Sequence, residues 1–240
     1  MSMQPIFYKR VVPLSKEQHG QLYLEPVDDF EFARETNSLF IAAVEFPRAC
    51  REYPIVFGAD NKGDVFPVVL LGMKKNQNLF IDKKGQWKAE YIPAYVRRYP
   101  FILAQPDVGA DKFAVCIDES YPGFNIAKEG RPMFNAKGEE SAVLKQAVEF
   151  LKDYQNQVHL TTLFCKGLAA LGVLEPMQAN IELKGGGKFA LGGFQCVNRT
   201  KLGLVKPAKL ADLVKTGHME LIYAHLLSLN NVGALLKRLP

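Results

Sequence analysis

Short apolar blocks separated by polar turns run through the first half of the chain, a pattern typical of β-strands. The clearest example is PIVFG at residues 54–58, followed by the polar segment ADNKGD at 59–64 and the apolar run VFPVVLLGM at 65–73. Glycine, asparagine and aspartate between two apolar runs predict a β-hairpin. Because proline cannot donate a ladder hydrogen bond, Pro67 predicts that the second strand lies at a sheet edge or begins later.

The second half of the chain has apolar residues at the three- and four-residue spacing of amphipathic helices. This spacing predicts a helix over residues 139–158, and a further helix over 160–171 that ends before Gly172, a residue that suits a helix C-terminus. The apolar side of the first helix is formed by Val143, Ala147, Phe150, Leu151 and Tyr154. Helices are also expected over 207–214 and 219–229.

A β-hairpin is predicted within this helical half. Its strands are expected at residues 176–183 and 188–197, joined by the glycine run at 185–187. A P-loop also contains a glycine-rich turn before a lysine, but here Phe189 stands where a Ser or Thr hydroxyl is needed. The segment is therefore interpreted as a turn. Gly192–Gly193 predicts a bulge or a close approach of two backbones.

These patterns predict an α+β fold, in which a mainly antiparallel β-rich N-terminal half packs with a helical C-terminal half that carries one β-hairpin. Strands and helices do not alternate regularly, which argues against a Rossmann-type sheet. The 240 residues are expected to form a single domain. Residues 121–138 are rich in glycine, proline and asparagine, so we interpret them as a surface connection and as a sub-boundary.

Composition and charge narrow the function classes. The chain is 48% hydrophobic and 23% charged, as is usual for globular proteins, and its net charge is +5. Its lysines and arginines are dispersed without a run of five or six, which argues against a nucleic-acid partner. The longest apolar run, at residues 65–73, is half of what a membrane-spanning helix needs. We therefore expect a soluble chain.

The four cysteines are far apart in the sequence and form no CxxC pair: Cys50, Cys116, Cys165 and Cys196. This spacing argues against a zinc knuckle or a redox motif. The first fifteen residues lack the apolar core of a signal peptide. We therefore expect reduced cysteines in a cytoplasmic protein, and we predict neither a metal nor a cofactor.

Two clusters of polar residues are candidates for catalysis. His225 and Ser228 stand three apart on a predicted helix and can touch, which is the arrangement of a base and a nucleophile. The alternative is a buried histidine hydrogen-bonded to a carbonyl or to Ser228. Adjacent residues of a strand point to opposite faces, so we interpret Asp118 and Glu119 as solvated acids at a strand end. His218 is two turns from His225, too far to share a metal ion.

Large aromatic side chains and two adjacent arginines are concentrated in NLFIDKKGQWKAEYIPAYVRRYPF, residues 78–101. Its candidate binding residues are Trp87, Tyr91, Tyr95, Arg97, Arg98 and Tyr99. Guanidinium groups bind carboxylates and phosphates through paired hydrogen bonds and stack on aromatic rings, so the segment predicts a site for a carboxylate, a phosphate or a peptide terminus. The alternative is an internal salt bridge to Glu45, Glu52 or Asp82.

Several long segments also carry a family resemblance. They are PLSKEQHG at 13–20, EFPRACREYPIVF at 45–57, NLFID with GQW at 78–87, YIPAYVRRYPF at 91–101, MFNAKGE at 133–139, LGGFQCVNRTKL at 191–202 and GHMELIYAHLLSL at 217–229. Together they resemble the bacterial SapC family over nearly the whole chain. The sequence departs from that family at Asn198–Arg199, where such proteins tend to have acidic residues.

The resemblance implies a function only in outline. The family name refers to surface (S-) layers, related genes lie beside tryptophan halogenase-like and cupin-like proteins, and no catalytic residues are established for the family. Our leading hypothesis is a non-enzymatic accessory protein that recognises a peptide or protein partner through residues 87–101. The alternatives are an enzyme that acts on a small acidic or aromatic substrate through His225, Ser228 or Arg98, and an S-layer-related assembly protein.

Overall fold

A computed structural model describes residues 5–26, 28–104, 113–182 and 188–239. The described strands are β1 (Val11–Pro13), β2 (Tyr23–Leu24), β3 (Ser38–Phe40), β4 (Ile55–Ala59), β5 (Val65–Leu70), β6 (Phe101–Ala104), β7 (Ala114–Asp118), β8 (Phe124–Asn125), β9 (Arg131–Pro132), β10 (Leu174–Glu182) and β11 (Lys188–Val197). The described helices are α1 (Lys16–His19), α2 (Phe46–Ala49), α3 (Ala94–Arg97), α4 (Ala142–Ala170), α5 (Arg199–Gly203), α6 (Pro207–Lys215), α7 (His218–Ser228) and α8 (Asn231–Lys237). Short 3-10 turns occur at Glu31–Ala33 and Ala43–Glu45.

The strands pair in antiparallel sheets. A five-stranded sheet has the order β10-β11-β4-β5-β3, and two three-stranded sheets have the orders β1-β7-β6 and β8-β2-β9. Most strands come from the first half of the chain and most helical residues from the second. The predicted α+β fold is confirmed.

The predicted hairpin of β4 and β5 is present, but both alternatives predicted from Pro67 are wrong, because β5 begins at Val65, before the proline, and is not an edge strand. Strand β5 lies between β4 and β3. The Pro67 carbonyl accepts a hydrogen bond from the Ile41 N–H (3.2 Å), one residue after β3 ends at Phe40. Since the N–H and C=O of a strand residue point to the same side, the N–H that proline lacks would lie beyond the end of β3. No ladder bond of β3 is lost.

The two helices predicted over residues 139–171 are one continuous helix, α4, of 29 residues. Ser141 caps its start, since the Ser141 hydroxyl accepts a hydrogen bond from the Leu144 N–H at 3.4 Å. Residues 155–163 contain neither glycine nor proline, so nothing in the sequence ends the helix there. The predicted end before Gly172 is correct, and Gly172 has the left-handed conformation (φ +66°) that glycine adopts at low cost.

The segment predicted as a surface connection, residues 121–138, contains two short strands. Both pair with β2: Leu24 lies opposite Phe124 of β8 and opposite Arg131 of β9. The segment is therefore hydrogen-bonded to the start of the chain, which local composition does not reveal.

The predicted hairpin of β10 and β11 is also present. Its pairing shifts between Met177 and Ala179, opposite Gly192 and Gly193, which confirms the predicted bulge. Gly193 has φ +84°, a conformation that most side chains disfavour. The turn at residues 185–187 lies outside the described residues.

Helix α4 contributes to two buried clusters. Its first half supplies Leu144 and Leu151 to a cluster with Phe101 and Ile117 of β6 and β7. Its second half supplies Phe164, with Cys165 and Leu168, to the larger cluster around the five-stranded sheet. The helix therefore connects these two clusters. None of the described helices has both the length and the hydropathy needed to cross a membrane.

Candidate functional site

The structure divides the aromatic–arginine segment between the core and the surface. Trp87 is only 9% exposed and packs against Phe30 and Phe80, with ring centroids 5.6 and 6.4 Å away. Its indole N–H donates to the Tyr53 hydroxyl at 2.8 Å. Trp87 therefore belongs to the core and contributes no exposed ring.

The three tyrosines of the segment are half-buried and hydrogen-bonded through their hydroxyl groups. The Tyr91 hydroxyl donates to Glu45 at 2.6 Å, and the Tyr99 hydroxyl donates to Asp118 at 3.4 Å. The Tyr95 hydroxyl accepts from the Ile6 N–H at 3.2 Å. Burial raises the pKa of Tyr91, and the adjacent Glu45 carboxylate raises it further. The three tyrosines therefore hold neighbouring groups in place through their hydroxyl groups.

Arg98 follows α3 and turns its side chain toward aromatic rings. Its guanidinium carbon lies 3.9 Å from the Tyr95 ring centroid, 5.1 Å from that of Tyr154 and 5.8 Å from that of Tyr8. Within the described residues, the buried Nε of Arg98 has no hydrogen-bond partner. Cation–π attraction therefore keeps the Arg98 guanidinium among these rings, although its Nε–H donates no hydrogen bond to a described residue.

Arg97, on the last turn of α3, is exposed. Its Nε–H donates to the Ile92 carbonyl at 3.0 Å. The guanidinium carbon lies 5.2 Å from the centroid of Phe150 on α4 and 5.9 Å from that of Tyr91. Successive residues of a helical turn point about 100° apart, which explains why Arg97 is exposed while Arg98 turns toward a different set of aromatic rings.

The internal salt bridge that we considered for this pair is absent from the described part of the chain. Glu45 accepts hydrogen bonds from Tyr91 and from two backbone N–H groups, and Glu52 accepts from the backbone of residues 90 and 91. Asp82 pairs with Lys88 at 3.0 Å. No ion pair among the described residues includes Arg97 or Arg98.

Both arginines line a half-open cavity of about 360 Å³, which we call the arginine cavity. Its wall is formed by the start of β6, the first half of α4 and the loop after β2. The lining residues are Leu24, Pro26, Arg97, Arg98, Tyr99, Pro100, Phe101, Tyr121, Val143, Gln146, Ala147, Phe150 and Leu151. This set includes two cations and no carboxylate. The cavity can therefore receive an anionic group beside apolar surface.

A second cavity, of about 260 Å³, adjoins the first because Arg97 and Phe150 line both. We call it the helix cavity, and its lining residues are Ala42, Val44, Glu45, Arg48, Tyr91, Ala94, Arg97, Phe150, Asp153, Tyr154 and Gln157. In contrast to the arginine cavity, it contains charges of both signs. Its lining polar residues include the buried Glu45 and the exposed Arg48 and Asp153.

Comparison with known proteins agrees with the sequence resemblance. A family model described as SapC matches residues 14–235, which is most of the chain. The chain belongs to the SapC family. Searches of curated proteins and of solved structures each found no match. All the segments on which the resemblance rests, except the start of PLSKEQHG, lie inside the matched range.

In this SapC-family chain, His225 and Ser228 are completely buried. The His225 Nδ1–H donates to the Ile55 carbonyl (2.8 Å), and Nε2 accepts from the Val197 N–H (3.0 Å). The Ser228 hydroxyl donates to the His225 carbonyl oxygen at 2.6 Å rather than to the ring. Burial lowers the pKa of His225 to about 4. The histidine therefore joins β4, β11 and α7 as a neutral group. This agrees with the alternative prediction of a buried histidine hydrogen-bonded to a carbonyl.

The interpretation of Asp118 as a solvated acid is wrong. Asp118 is 0% exposed, and its carboxylate accepts hydrogen bonds from the N–H groups of Lys9 (2.8 Å) and Arg10 (3.0 Å). Both the N–H and the hydroxyl of Ser120 also donate to it. Burial by itself would raise the pKa of Asp118, but these hydrogen bonds outweigh burial, so the pKa is lowered. The carboxylate fixes the N-terminal segment beside β7.

The remaining candidates do not form a site with the arginines. His218 lines a separate cavity of about 300 Å³, mainly apolar, between α4 and α6, where its neighbours are Phe164 and Leu168. Within the described residues, no group of three His, Cys, Asp or Glu side chains could hold a metal ion. The sequence departs from the family pattern at Asn198–Arg199, and there Asn198 caps α5: its side chain accepts a hydrogen bond from the Lys201 N–H at 2.9 Å.

Several residues around the arginines carry no recognisable signal of a site in the sequence. Tyr8 and Tyr154 contact Arg98 across long stretches of sequence, and Gln146 lines the arginine cavity from α4. The apolar spacing of α4 did indicate Phe150 and Tyr154, but as core residues. Nothing in the local pattern indicates which loop or strand faces that side of the helix.

Proposed function

We propose that this chain is a non-enzymatic binding protein, and that it recognises a carboxylate-bearing segment of a peptide or protein partner through the arginine cavity. One observation carries the proposal. Two arginines without an ion-pair partner among the described residues line a cavity in which no described carboxylate is present. Guanidinium groups bind an anion through paired hydrogen bonds, so an anion supplied by a ligand complements the two arginines.

The shape and chemistry of the lining favour a carboxylate attached to a larger apolar group. Guanidinium binds the two oxygens of a carboxylate side by side. Most of the other lining side chains are apolar or aromatic, including Val143, Phe101 and Leu151. They suit the aliphatic or aromatic neighbours of an acidic group in a polypeptide.

Two observations support binding over the alternative of catalysis. Both ring nitrogens of His225 are used by backbone groups, and His225 and Ser228 line neither the arginine cavity nor the helix cavity. A general base needs a free lone pair within reach of a substrate proton. The structure therefore gives no specific support to an enzyme that uses these residues.

The proposal includes a cytoplasmic location and partners related to the family. All four cysteines are free thiols, the state that a reducing compartment maintains. Tryptophan halogenase-like and cupin-like proteins are the partners that the resemblance implies, so their acidic surface segments are the first natural ligands to test.

A peptide selection tests the proposal without a known partner. Random displayed twelve-residue peptides are depleted on the bare support and then selected on the wild-type protein, and the affinities of the enriched peptides for wild type and variants are measured by fluorescence anisotropy. We expect the selected peptides to contain Asp or Glu, and Arg97→Ala to weaken their binding by roughly 10-fold or more, since a hydrogen bond to a charged group contributes about 1.5–3 kcal/mol.

The matched control is Arg199→Ala, which removes an exposed arginine at the start of α5 and is expected to leave affinity unchanged. Thermal unfolding by circular dichroism establishes that both variants fold. If every enriched peptide binds wild type, Arg97→Ala and Arg199→Ala equally well, the arginine cavity is not the binding site.

A further inference from the structure

The arginine cavity and the helix cavity lie in a row along one side of α4. The arginine cavity is lined by Val143, Ala147 and Phe150, and the helix cavity by Phe150, Tyr154 and Gln157. These positions are separated by three or four residues, so they form a stripe on one face of the helix. The two cavities are therefore parts of one groove.

The length of this groove follows from helix geometry. Gln157 is fourteen positions after Val143, and an α-helix rises 1.5 Å per residue, which gives a groove of about 21 Å. An extended polypeptide advances about 3.3 Å per residue. The groove therefore accommodates about six extended residues, whereas a single amino acid would occupy only one of its cavities.

Arg97 lies at the middle of the groove rather than at an end. It lines both cavities, and its guanidinium carbon is 5.2 Å from the centroid of Phe150, the other residue that both cavities share. A chain-terminal carboxylate bound at Arg97 would leave the cavity on one side without ligand. An acidic side chain within a polypeptide can bind Arg97 while the chain continues in both directions.

The two ends of the groove differ in chemistry. At the arginine-cavity end, Val143, Ala147 and Leu151 offer apolar surface. At the helix-cavity end, the exposed Arg48 and Asp153 carry opposite charges, which balance each other. The groove is therefore complementary to an apolar residue on one side of the acidic residue and to an uncharged polar residue on the other.

We propose that the ligand is an extended polypeptide segment of about six residues, lying along α4 with an internal acidic side chain at Arg97. This inference rests on the proposed function and specifies its ligand. Residues at the helix-cavity end, such as Gln157, then contribute to affinity together with those of the arginine cavity.

Three pools of octapeptides test the inference. In all three, the flanking positions are randomised among leucine, phenylalanine, serine and glutamine. The first pool has a central glutamate and blocked ends, so its only carboxylate is internal. The second has a central glutamine and a free C-terminus, so its only carboxylate is terminal. The third has a central glutamine and blocked ends. The amount of each pool retained by the protein is measured by affinity-selection mass spectrometry.

We expect retention of the first pool to exceed that of the other two by at least tenfold. Gln146→Glu adds an anion to the arginine cavity, and Gln157→Trp fills the far end of the helix cavity, so each should strongly reduce this retention. Gln155→Glu and Gln155→Trp are the matched controls, because Gln155 is on α4 but lines neither cavity, and both should retain the first pool like wild type.

The possible failures separate the two proposals. Equal or better retention of the second pool, or full retention by Gln157→Trp, would overturn the extended internal mode and leave the arginine cavity as a carboxylate site. Retention of the first two pools no better than that of the third would overturn both proposals.

Discussion

The Arg98 guanidinium carbon lies 3.9 Å from the centroid of the Tyr95 ring. This contact holds a cation whose buried Nε has no hydrogen-bond partner among the described residues. Arg98 is thus both a packing element and a source of positive charge for the arginine cavity. Arg97, one residue earlier, is exposed and can be changed with little effect on packing. The two arginines should therefore respond differently to substitution.

Two replacements of Arg98 distinguish the contribution of its side-chain volume to stability from that of its charge. Arg98→Met keeps much of the aliphatic stem while removing a cation–π contact of roughly 0.5–2 kcal/mol and an unpaired donor that costs roughly 1–3 kcal/mol. These effects oppose each other, so we expect the free energy of unfolding in urea to change by less than about 1 kcal/mol. Arg98→Ala leaves a cavity among three tyrosines and should lose about 2–3 kcal/mol.

The control for this pair is Arg97→Ala, which we expect to stay within about 0.5 kcal/mol of wild type, as is usual for surface substitutions. Arg98→Met would contradict the assignment if it lost as much stability as Arg98→Ala. That result would mean that a hydrogen bond or charge interaction of the Arg98 guanidinium, rather than its volume, stabilises the fold.

Asp118→Asn tests the anchoring of the N-terminal segment. Lys9 and Arg10 donate to different oxygens of Asp118, and asparagine replaces one of these oxygens by an NH2 group that cannot accept. At least one buried donor therefore loses its partner and the negative charge is lost, so we expect a loss of roughly 2–3 kcal/mol at neutral pH. Because folding lowers the pKa of Asp118, its stabilisation is complete above the ordinary aspartate pKa near 4 and is lost as the pH falls further. The difference between wild type and variant in urea unfolding should therefore shrink below about pH 4.

The control is Asp28→Asn, which changes an exposed aspartate and should have a small effect at every pH. A stability difference between wild type and Asp118→Asn that is as large at pH 3 as at pH 7 would show that the Asp118 charge is not responsible.

The sequence predicts the elements of this fold better than it predicts their neighbours. The β4–β5 hairpin and the α+β class follow from local signals: a polar turn between two apolar runs, and helical spacing after residue 139. The contacts of Asp118 do not. A strand-end acid is usually solvated, and only the pairing of Val11 with Asp118 in the sheet brings the chain before β1 onto its carboxylate.

The candidate site shows the same difference between local signals, which the sequence carries, and contacts between distant segments, which it does not. Aromatic rings beside Arg97–Arg98 indicate a site or a packed junction. In the structure Trp87 is packed in the core and Arg97 is exposed. The binding role of these residues stays a prediction. The groove along α4 could not be predicted, because it depends on the packing of α4 against a segment about fifty residues earlier.

We expect His225 to make stability depend on pH above the range in which Asp118 does so. Burial lowers its pKa to about 4, against about 6.5 for an unfolded histidine. The unfolded state therefore binds more protons between these values, and stability falls as the pH decreases from about 6.5 to about 4. This corresponds to about 3 kcal/mol. His225→Gln cannot titrate, so its free energy of unfolding in urea should vary less with pH over this range.

The control is His159→Gln, since His159 is exposed on α4 and its replacement should preserve the wild-type pH profile. Identical slopes for wild type and His225→Gln between pH 4 and 6.5 would be incompatible with a buried neutral histidine.

Glu45 connects the stability of the fold to the position of Arg97. Its buried carboxylate accepts hydrogen bonds from the Ala42 N–H (2.9 Å), the Tyr91 hydroxyl (2.6 Å) and the Ala94 N–H (2.7 Å). It thereby joins the 3-10 turn before α2 to the start of α3. Glu45→Gln replaces one accepting oxygen by a donor, so at least one of these buried N–H or O–H groups loses its partner, at a cost of roughly 1–3 kcal/mol.

The control uses the other carboxylate of the helix cavity. Asp153 is exposed on α4, and Asp153→Asn should change the free energy of unfolding by less than about 0.5 kcal/mol. Hydrogen exchange at the Ala94 N–H, read by NMR, measures the loss of its bond to Glu45 directly. We expect this exchange to accelerate in Glu45→Gln and to stay unchanged in Asp153→Asn. Equal protection of the Ala94 N–H in wild type and Glu45→Gln would mean that α3, and with it Arg97, is held by other contacts.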